Sequence, residues 1–157
     1  MSSLDVSHFK EVLGHYATGL VVVCATTTDG PAGFTCQTFG SLSLDPPLLT
    51  FAAGVDGQSW SRVKECRVVA VSILSAEQEP LARQFATSGV DKFDGVAWEK
   101  APGGSPVLEG ALAHIEGTVV TLSTHGDHDV AVVEVSYVHA RSGRPLIYYR
   151  GGFAELA

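Results

Sequence analysis

Strand-like runs follow one another along most of this chain, with helical patterns only near the start and the middle. That order lacks the strand and helix alternation of a doubly wound sheet and predicts an antiparallel barrel with peripheral helices. Leu20–Thr26 is rich in β-branched residues, Asp29-Gly30-Pro31 supplies turn chemistry and Ala32–Phe39 follows, which together predict a hairpin. Leu48–Ala53 and Arg67–Leu74 read as two further strands. Ala111–Ser123, Asp129–Ala140 and Pro145–Arg150 read as the last three, joined by His125–His128 and Ser142–Arg144. Helices are expected over the stripe Phe9, Val12, Leu13 and Tyr16 with Ser7 as N-cap, over Ser59–Lys64, and from a capping box at Ser75–Gln78 to about Ala86. Ser88–Pro106, dense in glycine and proline, reads as loop. A barrel of this size fills its interior with side chains, so a large ligand belongs on the rim or at a subunit contact.

One domain over residues 1–157 is expected, long enough to build its own core. Seventeen acidic against ten basic side chains give a formal charge of −7, which opposes nucleic acid and anionic lipid as partners. The longest apolar run, Gly19–Ala25, is far shorter than the ~20 residues of a membrane span, and the N-terminus lacks a leader pattern, so a cytoplasmic place is expected. Only 17% of residues are charged while 45% are hydrophobic, and the apolar surface this leaves predicts a two-fold homodimer. Cys24, Cys36 and Cys66 are odd in number and lack CxxC spacing, which predicts reduced thiols, with Cys24 and Cys66 in the core.

Neither GxGxxG nor GxxxxGK[ST] occurs, nor do GxSxG or HExxH, so dinucleotide-fold, P-loop and common hydrolytic sites are not supported. His125 and His128 fall in a turn between strands, where their spacing does not place both imidazoles on one helical face as a zinc site usually requires, and no metal is expected. The segment Gly33–Pro47, GFTCQTFGSLSLDPP, interleaves Thr35, Gln37, Thr38, Ser41 and Ser43 with Phe34, Phe39, Leu42 and Leu44, with a bend expected at Gly40. Composition leaves two readings open, an ordinary strand ending at two prolines or a wall offering an apolar slot and polar edge to a planar cofactor.

In its ordered set of motifs the chain resembles the flavin reductase family of FMN-binding split barrels, the reductase components of two-component flavin monooxygenases. The set comprises Tyr16-Ala17-Thr18-Gly19, Gly33–Phe39, Ser41–Pro47, Ser59-Trp60, Asp91-Lys92-Phe93, Gly126-Asp127-His128 and Tyr148–Gly151. The resemblance implies a mainly β fold, an antiparallel Greek-key split β-barrel with peripheral α-helices. It implies hydride transfer from NADH or NADPH to FMN or FAD, with reduced flavin passed to a separate oxygenase. By similarity Thr35, Cys36, Gln37, Thr38, Leu42 and Ser43 line the isoalloxazine, and Gln58, Ser59, Trp60, Lys92 and Phe93 flank the ribityl phosphate. His128, Tyr149, Arg150 and Gly151 correspond to the nicotinamide nucleotide side, and Cys36 packs or offers backbone.

No catalytic acid or base is implied, because the cofactors carry the hydride and the protein orients and dehydrates them. Gly40 departs from the hydroxyl residue of many relatives, and Asp56 is unfavourable near a phosphate unless it faces outward. A second reading keeps the fold without turnover, as a flavin carrier or sensor, and a deazaflavin or another planar cofactor is a third.

Overall fold

In the computed structural model, which describes residues 3–157, the opening helix α1 (Val6–Leu13) is capped by Asp5, whose carboxylate accepts from the Ser7 N–H at 3.0 Å. The cap therefore stands two residues before Ser7, because an aspartate there reaches the free N–H of the first turn. A short β1 (Thr18–Gly19) leads into the hairpin of β2 (Val21–Thr27) and β3 (Gly30–Cys36). Next come β4 (Phe39–Leu44), β5 (Pro47–Gly54), α2 (Gln58–Val63) and β6 (Val68–Ile73). The capping box forms as the sequence predicts, Gln78 Oε1 accepting from Ser75 N–H at 2.9 Å, but its first turn is 3₁₀ (Ala76–Gln78) before α3 (Glu79–Phe85).

The stretch expected to be loop carries the small ribbon β7 (Trp98–Lys100), which pairs with β8 (Pro106–Leu108). Two long strands, β9 (Ala113–His125) and β10 (His128–Ala140), are followed by the short pair β11 (Ile147–Tyr149) and β12 (Gly152–Ala154).

Seven strands form one antiparallel sheet in the order β3-β2-β6-β9-β10-β5-β4. The two edges of that sheet are joined directly by Gln37 and Thr38, which span at most roughly 10 Å, so the sheet must curl until its edges meet. The seam is tied by Ala52 N–H donating to Thr38 O at 3.1 Å and by Thr38 Oγ1 donating to Ala52 O at 2.9 Å. The connection through α2 carries the chain from β5 across the sheet to β6, which gives the Greek-key order in place of a meander. The bend thus falls at Gln37-Thr38, while Gly40 lies inside β4 opposite Thr50.

Two large buried clusters among the described residues lie one on each side of β2, and a small third one gathers Ala70, Ala101 and Val107. Val21, Val23 and Ala25 point into the barrel with Phe51, Trp60, Val69, Val71 and Val133. Leu20, Val22 and Cys24 point outward and are covered by Ala82, Phe85, Leu108 and Leu146. A strand buried on both faces must read as a continuous apolar run, and Leu20–Ala25 does. Gly33, opposite Cys24, lets this outer layer close: a methyl there would lie 2.7 Å from Cys24 Sγ and 2.9 Å from the Val23 carbonyl oxygen. No helix among the described residues is long and apolar enough to cross a membrane.

Candidate functional site

β3 is hydrogen-bonded on one side only, to β2; two clefts follow one another along it and a third lies past its end at Gln37–Phe39. The first, about 220 Å³, lies beside Pro31–Gly33 and is lined by Gln58, Ser59, Arg62, Lys92 and Phe93. The second, about 450 Å³, lies beside Thr35 and Gln37 under α3 and the β11–β12 turn, with Arg83, Tyr148, Gly151 and Phe153 in its walls. The third, about 710 Å³, shares Leu20 and Gln37 with the second and adds Tyr16, Thr18 and Thr38. Residues far apart in sequence meet here because β3 sits at the rim, between the start of α2, the loop after α3 and the C-terminal strands.

Lys92 gives the first cleft its electrostatics. Its side chain is half-buried, burial pushes its ammonium below the ordinary lysine value, and among the described residues it has no carboxylate partner. The nearby Cys24 thiol is itself pushed far up by burial and stays neutral. A half-buried cation beside Arg62 and the Ser59 hydroxyl suits an anion, since an anion would restore the interaction that lost hydration removed. The loop is held by Gln84, whose Nε2 donates to Lys92 O and Asp94 O, each at 2.9 Å. Phe93 does not stand free over the cleft; it packs edge-on against Phe85 and Trp98.

In the second and third clefts the polar groups are hydroxyls and amides. Thr35 Oγ1 donates to Ala82 O at 2.7 Å and fixes α3 against β3, while Gln37 and Thr38 are exposed at the seam. Thr18 Oγ1 is buried without a hydrogen-bond partner and lies in the wall of the third cleft. An orphaned hydroxyl, an unpaired strand edge and a half-buried ammonium suit a long planar ligand with a polar edge at one end and a phosphate at the other. Phe153, with the Arg83 guanidinium 4.6 Å above its ring, and Tyr148 provide the aromatic cover.

Not every predicted residue enters this groove. Trp60 is 2% exposed, packs with Phe34 and Phe51 inside the barrel and donates its indole N–H to Asp129 Oδ2 at 2.8 Å. It is a core residue, unavailable to a ligand in the cleft. Cys36 also faces inward, its thiol donating to Thr38 O and Ala52 O, and burial pushes it up. Leu42 and Ser43 lie farther along β4 and line none of the three clefts. Asp56 is exposed and also stands outside them. Cys66, expected in the core, is half-buried at the surface, and all three cysteines are free.

His128 sits at the tip of the β9–β10 hairpin, with Nδ1 2.8 Å from Asp127 Oδ1, and lies outside these clefts. His125 and His128 flank the hairpin turn as direct cross-strand neighbours and so share one face of the sheet. Arg150 and Gly151 form the β11–β12 turn with φ of 50° and 76°, and Arg150 N–H donates to Gly14 O at 3.0 Å. Gly151 thereby reaches the second cleft, while the Arg150 side chain remains exposed. Arg62, Arg83 and Thr18 carry no role in the sequence reading; Thr18 stood in the quoted Tyr16–Gly19 motif, but only the fold shows what it lines.

The model of the family described as flavin reductase like domain matches residues 13–157. The reductase subunit HsaB of a flavin-dependent monooxygenase from Rhodococcus jostii is 37% identical over 155 residues, covering 98% of this chain and 80% of that protein. The crystal structure of nitrilotriacetate monooxygenase component B from Mycobacterium thermoresistibile superposes with a TM-score of 0.94 at 35% identity, over 98% of this chain and 87% of that one. The NADH:FAD oxidoreductase SgcE6 of Streptomyces globisporus, in complex with NAD and FAD fragments, superposes with a TM-score of 0.93 at 33% identity, over 99% and 98%.

Proposed function

Because the chain belongs to the flavin reductase-like family, we propose that it is an NAD(P)H:flavin oxidoreductase whose groove along β3 holds FMN or FAD and supplies reduced flavin to a separate oxygenase. The observation that carries the reading is the half-buried, carboxylate-free Lys92 at one end of the groove, with the unpartnered Thr18 hydroxyl at the other. The flavin, when bound, supplies the ring that accepts a hydride from a reduced nicotinamide.

The residues of the chain do the rest by position. Lys92, Arg62, Ser59 and Gln58 hold the phosphate by charge and hydrogen bond. The edge of β3 at Thr35–Gln37, with Thr38 and Thr18, offers donors and acceptors to the polar rim of the ring. Tyr148, Gly151 and Phe153 form the wall against which the nicotinamide docks and from which water is excluded, with Tyr149 and Arg150 beside them in the turn. His128 is proposed to reach the nicotinamide nucleotide from the β9–β10 hairpin, where the Asp127 carboxylate orients its ring.

Anaerobic mixing of NADH or NADPH with FMN, FAD and riboflavin in turn tests the activity. Flavin bleaching is expected to run well above the protein-free control; bleaching at the control rate would reject the enzyme and leave a carrier or sensor.

A homodimer is also proposed. None of the residues of α1 is buried, and Phe9, Val12, Leu13 and Tyr16 expose 46 to 77% of their surface, an apolar stripe uncovered within one chain. A second copy is the partner that covers such a stripe symmetrically. Light scattering should give twice the 16.5 kDa chain mass, and Phe9→Asp should shift it toward the monomer. A cytoplasmic place is in keeping with three free cysteines, two of them buried.

A further inference from the structure

A fourth cleft, about 670 Å³, lies on the other side of Arg62 from the phosphate end of the groove, beside α2 and the β2–β3 turn. Arg62 lines both, and its Nη2 donates to Thr27 Oγ1 at 3.0 Å, which holds the guanidinium over the β2–β3 turn between the two spaces. Arg67 and Lys100 add two more cations to the fourth cleft, so three of the ten basic residues of an acidic chain converge there. None of the three has a carboxylate partner among the described residues.

The cleft is also a built space. Its two walls are tied by Thr26 Oγ1 donating to Gly104 O at 2.7 Å, and the far wall is pinned by the buried Glu116, which accepts from Gly103 N–H at 2.6 Å and Ser105 N–H at 2.9 Å. Glu116 occupies those two backbone donors, which leaves recognition of a phosphate to the side-chain cations.

Resting on the flavin reading above, the geometry points to this cleft as the seat of the adenylate half of FAD, making the protein selective for FAD over FMN. A dinucleotide whose first phosphate sits beside Lys92 and Ser59 would pass its second phosphate under Arg62 and enter the cleft. The mixed lining fits that class better than it fits a bare anion: the cations meet phosphate, while Asp29 and Glu65 offer acceptors to ribose hydroxyls. FMN ends at the first phosphate and makes none of these contacts.

Titration of the full-length protein with FAD and with FMN, read by flavin fluorescence quenching, tests the assignment. Wild type is expected to bind FAD about tenfold more tightly, and Arg67→Ala with Lys100→Ala to lose about tenfold in FAD affinity while FMN affinity moves less than about twofold. Lys100→Gln alone, at an exposed position, gives the same direction if the double variant unfolds. Equal wild-type affinities, or an equal loss for both flavins, overturns the assignment, as does a loss confined to the KM for NADH. A wild type that binds neither flavin overturns the flavin reading itself.

Discussion

Trp60→Ala is expected to remove about 3–5 kcal/mol of folding stability, a large part of the roughly 5–15 kcal/mol a domain has. The indole is the hub of the barrel core, with ring centroids 5.9 Å from Phe34 and 5.8 Å from Phe51, and truncation opens a cavity that strands cannot collapse to fill. Urea denaturation followed by circular dichroism measures it.

Trp60→Phe separates packing from hydrogen bonding, because it keeps most of the ring and leaves Asp129 Oδ2 without its N–H donor. The Asp129 carboxyl is held below the usual carboxylate range by the Thr124 hydroxyl at 2.6 Å first and by Trp60 second. A carboxyl lowered in the folded state contributes stability above its unfolded pKa, near ~3.9, and loses it as pH falls through the lower folded value. The stability gap between wild type and Trp60→Phe should therefore be full at pH 7 and shrink below about pH 4. FMN affinity of Trp60→Phe should stay close to wild type; a loss comparable with that of a phosphate-site variant would return Trp60 to the ligand wall.

Lys92→Ala should weaken FMN binding roughly 10- to 100-fold, the worth of a charge-assisted contact, while riboflavin, which lacks the phosphate, changes by less than about twofold. The contrast between the two flavins is the readout. An equal loss for both would mean that the substitution disturbs the loop that Gln84 holds through Lys92 O, and would remove Lys92 from the phosphate site. Raised salt should narrow the difference between wild type and variant for FMN alone.

Much of this fold is local in origin and was therefore legible before any coordinates. The turn after the β-branched run and the capping box at Ser75 each act within a few residues and form close to where the pattern predicts, although the turn closes at Thr28-Asp29 and Gly30 and Pro31 already pair within β3. Gln58, Ser59 and Lys92, which the resemblance sets together, line one cleft. Elsewhere a motif and a side chain's direction parted. Ser59 and Trp60 are adjacent in one motif, yet successive helical positions face different ways, so Ser59 looks into the cleft and Trp60 into the barrel.

Arg62 and Thr18 had no role in the sequence for a different reason. A lone arginine carries no pattern and a motif threonine does not show what it lines; their meaning comes from neighbours such as Thr27, Gln37 and Lys92, up to 35 positions away. By itself the sequence determined the longer strands, the antiparallel class and the family, because periodicity, turn residues and ordered motifs are properties of the chain; the short strands β1, β7, β8 and β12 escaped it because two or three residues carry no period. Only the tertiary structure decided which faces of those strands meet solvent. Closure of the sheet at Gln37-Thr38 sets the rim apart from the interior, with Lys92 half-buried at the rim and Trp60 a buried strut inside.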